Sequence, residues 1–124
     1  MKYLADKHNL GRLTILFVVL FAFAALSTAR TSTTSVNIVN NSSRSIANVY
    51  LSHVNADDWS DNQLGSATIA PGQSFSLSNL ACDQQQVKVI AEDQDGCFLS
   101  MAVTCGGSAD WTITNDTARD CGGN

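Results

Sequence analysis

The chain has 124 residues, 44% of them hydrophobic and 15% charged, with a formal net charge of −4 and four cysteines. That length holds one small domain. The acidic balance excludes nucleic acid and an anionic membrane surface as partners, because phosphate binding needs clustered Lys or Arg.

The first 29 residues have the layout of an export signal. Lys2, Lys7 and Arg12 outnumber Asp6 ahead of an uncharged, predominantly apolar run from Leu13 to Leu26, and the small residues Ser27-Thr28-Ala29 follow. Charged, apolar and small-residue regions in that order are the secretory pattern, with cleavage expected after Ala29. The competing reading is a retained anchor. Fourteen residues at about 1.5 Å each reach roughly 21 Å, short of a bilayer core of about 30 Å. After cleavage no membrane association is expected, and the protein is secreted or periplasmic. From Arg30 onward four basic side chains stand against ten acidic ones, a net of −6; such a balance serves solubility and demands no basic partner by itself.

Residues 30–35 are a Ser/Thr-rich lead-in, and 36–124 form the domain. Val36 and Ile38 alternate with Asn37 before the turn Asn40-Asn41-Ser42-Ser43. Ala47, Val49 and Leu51 make a second strand, with Tyr50 on its opposite face. A polar loop from Ser52 to Gly65 holds Trp59. A short strand at 67–69 ends at the turn dipeptide Pro71-Gly72, and Phe75 and Leu77 lead towards Leu80. Val87, Val89 and Ala91 alternate up to the hairpin turn Asp93-Gln94-Asp95-Gly96, and Leu99, Met101 and Val103 return. After Gly106-Gly107, Trp111 and Ile113 face the core. No segment has helical period. About seven short two-faced strands predict an all-β fold, a small antiparallel β-sandwich that is immunoglobulin-like or similar.

In an exported chain an even cysteine count reads as disulfides. Gaps of 14, 7 and 15 residues between successive cysteines do not match the close ligand pairs of zinc sites, and no C-x-x-C motif is present. In the hairpin about Asp93–Gly96, Cys82 and Cys105 lie at the open end and Cys97 at the turn end. A last strand antiparallel to 97–105 brings Cys121 back near Cys97. Cys82 and Cys97 would sit at opposite ends of one strand, roughly 30 Å apart, whereas a bridge needs Cα atoms within about 7 Å. The expected pairs are therefore Cys82–Cys105 and Cys97–Cys121.

Several segments together resemble a family of small bacterial secreted domains of unknown function. They are Asn41-Ser42-Ser43, Ile46 leading into Val49-Tyr50-Leu51-Ser52, and Trp59-Ser60-Asp61-Asn62-Gln63-Leu64-Gly65 against the family's W-G-x-[DN]-x-L-G. Pro71-Gly72-Gln73-Ser74, Cys82, Asp95-Gly96 and Cys105 complete the set. Ser60 departs from the usual Gly, His53 stands where Pro is common, Asp83-Gln84-Gln85-Gln86 lacks an aromatic–Asp pair, and Cys97 and Cys121 are additions. The resemblance implies a secreted β-fold and no reaction.

Function concentrates in the Trp59 loop, where two readings stay open. Asp57, Asp58, Asp61 and Asn62 offer hard oxygen ligands of the kind Ca²⁺ takes, and Trp59 offers a stacking face for a sugar ring. Equally, Asp, Asn and Ser cap turns, and a lone loop Trp can plug one end of a sandwich. The spacing is not that of an EF-hand, and no metal or cofactor is expected. Ser52 and His53, adjacent on a strand, point to opposite faces and cannot readily share a proton, and no nucleophile elbow is present. The protein reads as non-enzymatic, a binding or structural module. The alternatives are a carbohydrate- or peptide-binding module using Trp59, or a small inhibitor or effector presenting Asp93–Gly96. An extracellular glycan or protein is the candidate partner. Asn40, Asn41 and Asn115 begin N-x-[ST] sequons, which in a bacterial protein are turn residues.

Overall fold

The computed structural model describes residues 33–123, so the expected export signal lies outside the described residues. Six strands follow in order: β1 Thr34–Asn41, β2 Ile46–His53, β3 Ser74–Leu80, β4 Gln86–Asp93, β5 Phe98–Thr104 and β6 Ser108–Thr114. They form two three-stranded sheets, β3-β1-β6 and β2-β4-β5. The all-β class and the two disulfides are as the sequence predicts, with six strands rather than seven. The stretch at 67–69 makes a single bridge, Ile69 exchanging both backbone hydrogen bonds with Ile46 at 2.9 Å.

Alternation builds the core. Val36 and Ile38 of β1, Leu77 and Leu80 of β3, and Trp111 and Ile113 of β6 face Val49, Val87, Val89, Ala91, Leu99 and Val103 of the other sheet. Every ladder is antiparallel except β1–β6, which is parallel from Ser35↔Ser108 to Asn41↔Thr114. β6 therefore leaves the hairpin sheet, crosses the sandwich after Gly106 (φ +88°), and lies beside β1 instead of beside β5. The chain after it still returns to the start of β5, where Asp120 bridges Phe98, which is why the pairing expected from a last strand antiparallel to 97–105 survives that difference.

Cys82–Cys105 joins the open end of the β4–β5 hairpin across a Cα separation of 5.7 Å, and Cys97–Cys121 fastens the tail at 4.1 Å. Beside the second bridge, Phe98 and Asp120 exchange backbone hydrogen bonds of 2.7 and 2.8 Å. Two disulfides fit an oxidising, extracellular or periplasmic setting. Among the described residues no helix is long and apolar enough to cross a membrane.

The lead-in is shorter than 30–35. Thr34 is buried within β1, its Oγ1 accepting the Gly106 N–H at 2.9 Å, and Ser35 N–H donates to the Gly107 carbonyl. A Ser/Thr-rich composition looked flexible because its partners lie more than seventy residues away.

The Asn40 turn is a closed polar unit. Fully buried Asn40 donates to the carbonyls of Arg44 and Ile69 and accepts from the Ser42 N–H and hydroxyl. Asn115 accepts from the Ser43 N–H and hydroxyl. A buried polar atom left without a partner costs about twice what a made bond contributes, so this unit holds the β1–β2 corner in one arrangement.

Candidate functional site

The loop after β2 is bound back along the free edge of that strand. Ser60 N–H donates to the Leu51 carbonyl at 2.8 Å and its hydroxyl accepts the Leu51 N–H at 2.9 Å. One turn further, Gln63 N–H reaches the Val49 carbonyl at 2.7 Å, and Asn62 Oδ1 accepts the N–H groups of Val49 and Leu64. Leu64, 5% exposed, plugs into the core. Side-chain oxygens thus replace a missing strand partner, and the loop is held over the outer face of the sheet.

Trp59 sits on that outer face, 41% exposed, and so does not plug an end of the sandwich. Its ring lies 5.4 Å from Tyr50 of β2, tilted by 36°, and 5.1 Å from Phe98 of β5, nearly edge-on at 74°. Both geometries fall among the favoured aromatic arrangements. Touching one flanking strand and the other, the indole spans β4 between them, where Ile90 is buried outside the main core. Glu92 borders the cluster, its Oε2 accepting from the Tyr50 hydroxyl at 3.2 Å and the Asn48 amide at 3.4 Å. Burial first, then the Glu92 charge and hydrogen bond, push the Tyr50 phenol above its ordinary pKa.

A second polar constellation lies at the end of β2. The His53 ring is held on both sides, Nδ1 by Asp58 and Nε2 by Asp83 at 3.1 Å. Asp58 also accepts from the Ser52 hydroxyl and the His53 backbone N–H. The hydrogen bonds from Asp58 and then Asp83 raise the His53 pKa, and the His53 ring, then its N–H, hold the Asp58 carboxyl down at about 2. These residues border an open groove of about 330 Å³ floored by Leu51, Cys82 and Val87.

The chemistry available here is limited. The Ser52 hydroxyl bonds Asp58 and the carbonyls of His53 and Ala56, so it does not meet the imidazole. The two ring nitrogens point in opposite directions, each to its own carboxylate, which prevents convergence on a metal. Among the described residues no three His, Cys, Asp or Glu side chains are grouped to hold one.

Of the residues singled out from the sequence, Trp59 is on the surface cluster and Asp58 is in the His53 unit. Asp57 is exposed and lies 3.9 Å from the Lys88 ammonium. Asp61 is exposed and contributes its backbone carbonyl to Ser60 and Gln63. Asn62 is spent entirely on backbone caps. Asp57, Asp61 and Asn62 therefore do not join Asp58 in one oxygen cluster.

Sequence reasoning missed Asp83, which is thirty positions from its partner, together with Phe98 and Glu92. Period-two alternation could have found the last two, since Tyr50, Ile90, Glu92 and Phe98 share the outward face. It also missed Asp93, read as a turn residue, which is 2% exposed and grips Arg119 at 2.7 Å and Arg44 at 3.3 Å.

No family model and no curated protein matches the chain. Among solved structures, a protein from Eubacterium rectale determined by NMR is similar at a TM-score of 0.45 and 12% identity, over 75% of this chain and 91% of that one.

Proposed function

We propose that this is an extracytoplasmic, non-enzymatic binding module whose contact surface is the Tyr50–Trp59–Phe98 cluster, and that its ligand is the ring of a neutral sugar within an extracellular glycan. The exposure of Trp59 carries the reading: a large aromatic face is left open to solvent although the surrounding loop is anchored by backbone and side-chain hydrogen bonds. A rigid, exposed ring loses little entropy when a sugar stacks on it, and Glu92 and Asn48 at its border offer groups that hydroxyls can bond. An acidic ligand is disfavoured by Glu92 and by the chain's net charge. Placement outside the cytoplasm rests on the signal-like residues 1–29 together with the disulfides. It predicts that the exported protein begins at Arg30, which N-terminal sequencing reads.

Intrinsic fluorescence tests the ligand. Trp111 is buried, so a response to added oligosaccharide reports Trp59. Titration with soluble neutral glycans should shift the emission of the native protein, and calorimetry should detect binding that Trp59→Ala abolishes and Trp59→Phe weakens. Absence of any spectral or calorimetric response across a broad glycan panel, in a protein with both disulfides formed, refutes the reading.

A further inference from the structure

Resting on the sugar reading of the Trp59 cluster, we propose that the sugar is an N-acetylhexosamine, whose acetamido N–H donates to Glu92 while its methyl lies against Phe98. Glu92 and Phe98 then act as the pair that selects this substituent over a plain hydroxyl.

Hydrogen bonds around Trp59 are spent unevenly. The Tyr50 hydroxyl and the Asn48 amide both donate to the same carboxylate oxygen, Glu92 Oε2, at 3.2 and 3.4 Å. Glu92 Oε1 accepts from no protein group among the described residues. Nor does a described cation pair with Glu92: Lys88 lies beside Asp57, Arg44 beside Asp93, and Arg119 beside Asp93 and Asp95. The border of the cluster has turned its donors onto one oxygen and left the other without a protein partner. An ionised carboxylate accepts and cannot donate, so a ligand group placed there has to be a donor.

The neighbour of Glu92 narrows the choice of donor. In the register of the sheet Glu92 stands between Asn48 of β2 and Phe98 of β5. Side chains directly opposite on one face have Cβ atoms about 5 Å apart, so the acceptor is one such spacing from an apolar ring. That ring is itself held edge-on against Trp59. A trans amide is planar, with the N–H and the acyl methyl on one side and the carbonyl on the other. An acetamido group can therefore give its N–H to Glu92 and its methyl to Phe98 together, with its carbonyl turned to water. A hydroxyl supplies the donor and leaves Phe98 uncovered. A free ammonium does the same with a charge, and a carboxylate is repelled. The sugar ring stacks on the open face of Trp59, so ring and substituent are read by different side chains.

Three trisaccharides of one linkage, differing only in the substituent at the second ring carbon, test the assignment: N-acetylchitotriose, chitotriose and cellotriose. They are titrated by calorimetry into the native protein with both disulfides formed. N-acetylchitotriose should bind about fourfold or more tightly than cellotriose, the worth of one buried methyl, and more tightly than chitotriose. Glu92→Ala should weaken N-acetylchitotriose by about tenfold or more, as expected for a hydrogen bond to a charged group, and Tyr50→Phe, which keeps Oε1, should weaken it less. Phe98→Leu should reduce the preference over cellotriose. Saturation-transfer NMR on the native protein needs no variant: the acetamido methyl should receive as much saturation as the protons of the stacked ring. Equal binding of N-acetylchitotriose and cellotriose would overturn the acetamido assignment and leave the sugar reading standing. Tighter binding of chitotriose, an unsaturated methyl, or an unchanged constant in Glu92→Ala would each overturn it as well. Binding of none of the three would overturn the assignment together with the sugar reading on which it rests.

Discussion

Replacing Asp93 should be the most damaging single change outside the apolar core. Its carboxylate accepts from Arg119 Nη1 at 2.7 Å, lies 3.3 Å from Arg44 Nε, and caps the turn by accepting the N–H groups of Asp95 and Cys97. Burial on its own pushes the Asp93 pKa up, but Arg119 and the two N–H groups outweigh it and hold the carboxyl below its ordinary 3.8. Asp93→Ala leaves two guanidinium groups facing each other in a mostly buried site, and Arg44 Nη2 is already without a hydrogen-bond partner. Breaking a buried pair from one side costs about 3–5 kcal/mol. With an unfolding entropy of about 0.19 kcal/mol/K for a domain of this size, Tm should fall by about 15–25 °C. Asp93→Asn keeps an oxygen for the turn and should cost less, about 2 kcal/mol. Because the folded pKa is depressed, this contribution is fully present above the unfolded carboxyl's pKa and is lost as pH falls through the lower folded value. Urea unfolding followed by tryptophan emission, disulfides intact and repeated across pH, measures both costs and their pH dependence, and a thermal melt gives the Tm. If both variants stay within about 1 kcal/mol of the native protein, the paired-charge reasoning fails.

Cys97→Ser with Cys121→Ser opens a loop for which closure entropy gives roughly 3 kcal/mol, and the same denaturation experiment should show a loss of that order, with peptide mapping of the native protein returning only Cys82–Cys105 and Cys97–Cys121. The His53 imidazole, followed by NMR, should titrate above 6.5, and Asp83→Asn should lower its midpoint by removing the Nε2 partner. The His53 contribution is complete below the unfolded pKa and disappears as pH rises through the raised folded value; an unshifted midpoint in the native protein would dismiss the two-sided clamp. Asn62→Ala strips the cap from Val49 and Leu64 and should cost about 1–2 kcal/mol while making Trp59 more accessible to acrylamide, whereas unchanged quenching would separate the loop's anchoring from the indole's position.

Faces were legible in the sequence and neighbours were not. Val36 and Ile38, Val87 to Ala91, and Trp111 with Ile113 announce their buried sides because one period governs every strand. The same period says nothing about which strand lies beside which, so the parallel β1–β6 ladder was out of reach. The disulfides were legible because a hairpin has two distinguishable ends. Asp93 was not, because Asp-x-x-Gly is ordinary turn chemistry, and its role depends on Arg119, twenty-six positions later. Trp59 stood out as a lone loop aromatic, but its meaning depends on Tyr50 and Phe98, which come from two different strands and meet it only after the sheet has formed.

The two edges of the hairpin sheet illustrate how one loop sets the character of a surface. At β2, Ser60 and Asn62 satisfy backbone groups that would otherwise recruit another chain, and the same bonds hold Trp59 across β4. Sealing that edge and presenting the ring are therefore a single structural act, and a substitution that frees one should release the other. At β5, among the described residues, Asp120 alone performs the corresponding service, and for one residue pair.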